Sequence, residues 1–137
     1  MATANRERRA LQALVAVASL VPILGGAAGV ALGPRMVGAA FGSMADSHFR
    51  YLSGLLLAIG VTYLSLVKHI EREGQRLFML TAIVVTGGCA RAFGMLAAGD
   101  RGPGVAAALV MELIVAPAVF VWQGRVAASM DAPAGAR

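Results

Sequence analysis

A chain of 137 residues with net charge +5, 58% hydrophobic residues and only 14% charged ones lies outside the range of soluble domains, where about 25% charged residues is usual. Its basic residues flank apolar runs and never make a face interleaved with aromatics, which excludes nucleic acid as a partner. The length holds one small helical domain over 1–137, and the single cysteine, Cys89, excludes an internal disulfide and a multi-cysteine metal site.

Four apolar runs follow, each able to cross roughly 30 Å of hydrocarbon at about 1.5 Å per residue. The first, about 11–33, comes after Arg6, Arg8 and Arg9 and ends in small residues near Ala31. That layout resembles a signal peptide, but the run exceeds a signal core and reads as an uncleaved helix, kinked at Pro22. Gly25, Gly29 and Gly33 form two small-xxx-small steps, spacing that lets helices approach closely within the protein or at a dimer interface. In the segment that follows, Met36, Val37, Ala40, Phe41 and Met44 recur at helical spacing and predict a short helix on the membrane surface.

Asp46 or Ser47 is the expected N-cap of the second span, about 48–67. His48 and Arg50 stand at its start, and Tyr51, Gly54, Ala58, Thr62 and Ser65 continue a small and polar stripe, with Gly54 and Ala58 as a further packing step. The third span, about 77–98, holds Gly87, Gly88, Arg91 and Gly94. A turn over Asp100, Arg101, Gly102, Pro103 and Gly104 leads into the fourth, about 105–122, which holds Glu112 and Pro117 and closes near Trp122.

Eight basic residues fall on one side of this map (Arg6, Arg8, Arg9, Lys68, Arg72, Arg76, Arg125, Arg137) and three on the other (Arg35, Arg50, Arg101). The positive-inside rule then puts both termini in the cytoplasm, and the expected location is the bacterial cytoplasmic (inner) membrane, crossed several times.

Arg91 and Glu112 are each stranded in an apolar run, where a charge costs roughly 2.5 to 3.5 kcal/mol on insertion scales. Arg91 is eleven positions before Gly102 and Glu112 ten after it, so in an antiparallel hairpin the two lie at one depth and pair. Arg50 enters from the same side and is expected to reach toward Glu112, giving a cluster of two arginines and one carboxylate lined by Tyr51 and His48. Two readings stand. The pair is a clamp that fixes helix register, or the excess positive charge binds a carboxylate, a phosphate or a polar headgroup, such as an anionic lipid or small acid.

Other chemistry is poorly represented. His48 and His69 lie far apart, so no metal site assembles. No serine, histidine and acid constellation occurs, no cofactor motif is present, Cys89 reads as an inert thiol, and the seven methionines are most simply apolar filler. An enzyme is therefore not the favoured reading.

The strings His48-Phe49-Arg50-Tyr51-Leu52-Ser53-Gly54, Gly87-Gly88-Cys89-Ala90-Arg91 and Met111-Glu112-Leu113, with Pro117 and Trp122, closely resemble the bacterial four-helix membrane family catalogued as domain of unknown function 4345. The resemblance implies an architecture and matches Arg50, Arg91 and Glu112 to the family's polar positions; it implies no activity. A looser similarity links the chain to four-helix membrane proteins of the DoxX type, without any matching quinone or redox motif. The sequence thus predicts an all-α integral membrane protein, a four-helix transmembrane bundle. Its expected role is that of a non-enzymatic accessory subunit or binder of a small anionic or amphiphilic molecule. Its expected partners are the lipid bilayer and a membrane protein or second copy of the chain. A small carrier or membrane-enzyme subunit is the alternative.

Overall fold

A computed structural model describes residues 2–38, 42–99 and 102–131. Among them no strand occurs. The first helix runs Ala2–Leu32, the second Ser43–Leu66 and the third Gly74–Ala98. The fourth runs Pro103–Asp131, α-helical over Pro103–Val110, π-helical over Met111–Val115 and α-helical again over Ala116–Asp131. All four are long and apolar enough to cross a membrane, so the fold is all-α with four transmembrane helices. Between 6% and 22% of the most apolar window of each is buried, and Leu24, Phe93 and Leu96 are exposed by 66%, 74% and 77%. Apolar side chains facing outward at that level require lipid as their solvent.

The helices outrun the apolar spans where the flanking residues are good helix formers. Arg6, Arg8 and Arg9 belong to the first helix, and Arg125 to Asp131 extend the fourth, because arginine, glutamate and alanine sustain a helix in water as well as in lipid. The second helix starts at Ser43 with Gly42 as N-cap and no side-chain cap, which corrects the expectation of Asp46 or Ser47 in that role. Asp46 instead lies in the first turn, where the positive end of the helix favours a carboxylate.

No separate surface helix is found among the described residues. Met36 and Val37 lie in a 3-10 turn, Gly33–Val37, ended by Gly38 at φ 69°, and Met44 belongs to the second helix; Ala40 and Phe41 lie outside the described residues. Of the turn between the last two spans, Asp100 and Arg101 also lie outside them. Gly99 at φ 73° ends the third helix, and Gly102 with Pro103 starts the fourth, the arrangement these residue types favour.

The chain packs as two compact units, Gln12–Lys68 and Met1–Leu11 with His69–Arg137. The chain passes between them twice, inside the first helix between Leu11 and Gln12 and in the 3-10 connection Val67–Arg72 at His69, whose backbone leaves the helical region (φ −127°, ψ 37°).

In the first unit the two helices run antiparallel and touch at glycines. A methyl group on Gly26 would lie 2.5 Å from the Leu57 backbone nitrogen, one on Gly60 would lie 2.8 Å from Ile23, and one on Gly29 would collide with Ser53. Gly25 would meet nothing within 4 Å, Gly54 only Val30 at 3.9 Å, and Gly33 ends the helix at φ 61°. Of the expected Gly25, Gly29 and Gly33, the last two do lie at close contacts, Gly29 against Ser53 and Gly33 against Arg50 and Asp46, while Gly26 takes the place of Gly25. Gln12 Nε2 donates to the carbonyls of Val67 and Lys68 at 2.8 and 3.3 Å, closing acceptors that a helix end leaves open.

In the other unit the third and fourth helices are also antiparallel. Gly74 faces Gln123, Phe78 packs on Phe120 with centroids 5.7 Å apart, and Gly88 faces Glu112 and Leu113. Gln123 Nε2 donates to the Ile70 carbonyl at 3.0 Å, and Arg8 Nε pairs with Glu71 Oε2 at 2.8 Å.

Because its added methyl would strike backbone atoms, Gly26→Ala should cost about 1–3 kcal/mol, the usual penalty for overpacking. Gly25→Ala next door should be close to neutral. Thermal unfolding of both variants in detergent checks this, and equal losses would contradict the assigned helix face.

Candidate functional site

The close approach at Gly88 brings the polar pair together. A methyl there would lie 2.7 Å from Leu113 Cδ2 and 2.9 Å from Glu112 Cβ, so the third helix backbone lies directly against the residue that carries the acid. Arg91, three positions on, shares a helix face with Gly88. Its Nε donates to Glu112 Oε2 at 2.9 Å and its Nη2 to Oε1 at 2.9 Å, a bidentate pair in which two parallel bonds fix both distance and orientation.

Glu112 sits in the π-turn Met111–Val115. Pro117 gives the physical reason: it has no N–H to offer the Leu113 carbonyl, and in a regular α-helix its ring would press on that carbonyl. The wider turn relieves this, with the Ala116 N–H donating to Met111 O, five residues back. Such single-turn bulges recur at functional sites, because they re-aim a side chain without ending the helix.

Burial of the pair is uneven. The Glu112 side chain is 19% exposed and the Arg91 side chain 44%. Nη1 of Arg91 makes no hydrogen bond to any described residue, so one edge of the guanidinium is satisfied by the protein and the other faces outward.

Arg50 is placed differently from expectation. Its Nε donates to Asp46 Oδ2 at 2.9 Å, and its Nη1 donates to the Val30 and Ala31 carbonyls at 2.6 and 3.2 Å. The expected reach toward Glu112 gives way to a nearer carboxylate one turn back and to the open carbonyls at the C-terminal end of the first helix, where a cation is favoured. Each arginine thus has its own acid, Asp46 for Arg50 and Glu112 for Arg91, rather than two arginines sharing one. Tyr51 is 61% exposed and stacks on His48 with ring centroids 6.3 Å apart. Both belong to the unit that contains Arg50 and stand one turn or less from it.

Sequence reasoning took Asp46 as a cap and missed it as the partner of Arg50, although an acid and an arginine at i and i+4 are a visible helical pair. It also missed the π-turn, whose signal was Pro117 five residues after Glu112. Cys89 is exposed. Among the described residues no group of three histidine, cysteine or acidic side chains could hold a metal.

Four lipid-facing helices and an intramembrane arginine–glutamate pair define a small multi-pass membrane protein. The chain belongs to the family described as Domain of unknown function (DUF4345), whose model matches residues 10–123, a stretch that includes Asp46, Arg50, Arg91 and Glu112. No curated protein and no solved structure matches the chain.

If the bidentate pair holds the hairpin, Arg91→Gln and Glu112→Gln should each cost about 1–3 kcal/mol, less than a fully buried pair because Arg91 is partly exposed. The double variant should lose at least about 1 kcal/mol less than the sum, as coupled neighbours do. Denaturation of the four proteins in one detergent measures this; strictly additive losses would mean the side chains do not interact.

Proposed function

We propose that this is a non-enzymatic, single-domain protein of the bacterial cytoplasmic membrane, with both termini cytoplasmic, that holds a small anionic or amphiphilic molecule at Arg91, alone or as an accessory subunit of a larger membrane assembly. The observation that supports this reading is the outward guanidinium edge. A charged donor at 44% exposure with Nη1 left open is costly in hydrocarbon unless something arrives to accept its hydrogen bonds. A clamp alone needs no open edge.

Arg50, the other arginine of the expected cluster, is less suited to the role. Its donors already go to Asp46, Val30 and Ala31. Arg91 therefore takes its place as the ligand-binding group, with Glu112 fixing its orientation. Tyr51 and His48 serve as interfacial side chains around Arg50. A carrier or membrane-enzyme subunit built on the same pair is the competing reading, and it requires the Arg91–Glu112 pair to open and close during each turnover.

Two measurements test the proposal. Reporter fusions at Gly74 and after Arg137 should read cytoplasmic and one at Gly102 external, because eight basic residues stand against three; a cytoplasmic Gly102 overturns the orientation. Mass spectrometry of extracts from the purified protein should find a co-purifying acidic or amphiphilic molecule whose yield falls in Arg91→Gln. A yield unchanged by Arg91→Gln would leave the pair as a register clamp.

A further inference from the structure

The surroundings of Arg91 on its own helix narrow the chemistry of the ligand. Gly87 and Gly94, four positions before and three after it, are both exposed, and a methyl on either would meet nothing within 4 Å. The guanidinium edge therefore lies beside a slot in the outline of the third helix, the bare backbone at positions 87 and 94. Toward the middle of the helix the slot continues past Gly87 to Ile83, which is 53% exposed and one further turn along the same stripe.

Depth adds a second constraint. Arg91 stands seven residues (91 to 98) from the helix end at Ala98, about 10 Å at 1.5 Å per residue. Because Glu112 holds the guanidinium at that depth, a lipid phosphate meets it through local thinning of the bilayer, as charges within a span induce.

We propose that Arg91 binds the phosphodiester of a phospholipid from the leaflet on the Gly102 side, with the headgroup over Gly94 and an acyl chain along Gly87 toward Ile83. This rests on the reading of Arg91 as a ligand-binding group. A guanidinium fork presents paired N–H donors that match two phosphate oxygens. Bonding to Glu112 uses Nε and one hydrogen of Nη2, which leaves Nη1 and the second Nη2 hydrogen on the outward side for the phosphate. The missing side chains at positions 87 and 94 give room for a flexible chain and a glycerol backbone. The same chemistry would accept free phosphate, but that source makes no use of the apolar stripe.

The test is native mass spectrometry of the full chain released from detergent, incubated separately with phosphatidylglycerol, oleate and inorganic phosphate. The variants are Arg91→Gln and Gly94→Leu. The second fills open space, leaves the Arg91–Glu112 pair untouched and so separates loss of the slot from loss of fold. One phosphatidylglycerol should be retained per chain, with retention falling about tenfold in each variant, the worth of a charge-assisted hydrogen bond. Oleate retained as tightly, with the same dependence on Arg91, overturns the phosphodiester assignment while leaving an anionic amphiphile as the ligand. Displacement of the lipid by an equal concentration of inorganic phosphate overturns the lipid source. Retention unaffected by Gly94→Leu overturns the slot, and no adduct of any kind overturns both this inference and the ligand-binding reading beneath it.

Discussion

Hydrocarbon offers no water to a guanidinium or a carboxylate, and Arg91 and Glu112 persist at their depth because each supplies what the other lacks. That requirement reaches well beyond two side chains. A bidentate pair tolerates little displacement, so the third and fourth helices must meet in one register and at one separation. Gly88 permits the separation, since any side chain there would strike Glu112 and Leu113. The π-turn ahead of Pro117 sets the direction in which Glu112 leaves its helix.

The same constraint operates at the helix ends, where backbone carbonyls lack partners. Arg50 closes the end of the first helix while bound to Asp46, Gln12 closes the end of the second, and Gln123 closes the connection after it. Hydroxyls within the spans turn back onto their own helices: Ser19 donates to the Val15 carbonyl, Ser53 to Phe49 and Thr62 to Ala58. Most polar side chains in the spans thus close a helix end, pair with a charge or satisfy their own hydroxyl, needs that lipid would leave unmet; Thr81, whose Oγ1 is buried without a partner, is an exception. The outward edge of Arg91 stands out against that pattern, which is why it, and not Arg50, receives the ligand in our account.

The legible parts of the fold were those that depend on distance along the chain. Span lengths follow from hydropathy, and the Arg91–Glu112 pairing follows from counting outward from Gly102, because an antiparallel hairpin maps sequence distance onto depth. Rotation about the helix axis was harder to read. Gly25 and Gly26 are neighbours in sequence, yet one meets the Leu57 backbone and the other nothing, a difference set by the partner helix and not by glycine spacing. Arg50 departs from expectation for a related reason: the count of charges along the chain points it toward Glu112, while Asp46 lies one turn away on its own helix. The π-turn arises from a local conflict between Pro117 and the Leu113 carbonyl, which a periodic pattern averages out.

The central claim is that Arg91 and Glu112 form one bidentate unit in the bilayer. Solid-state NMR of the protein in lipid, with 15N-labelled arginine and 13C-labelled glutamate, measures it directly. With the nitrogen–oxygen separation at 2.9 Å, the guanidinium nitrogens should lie within about 4 Å of the Glu112 carboxylate carbon, as hydrogen-bond geometry requires, giving a dipolar coupling that disappears in Glu112→Gln. A coupling spectrum unchanged by Glu112→Gln would mean that the two charges do not meet, and the register, the π-turn and the open edge of Arg91 would need another explanation.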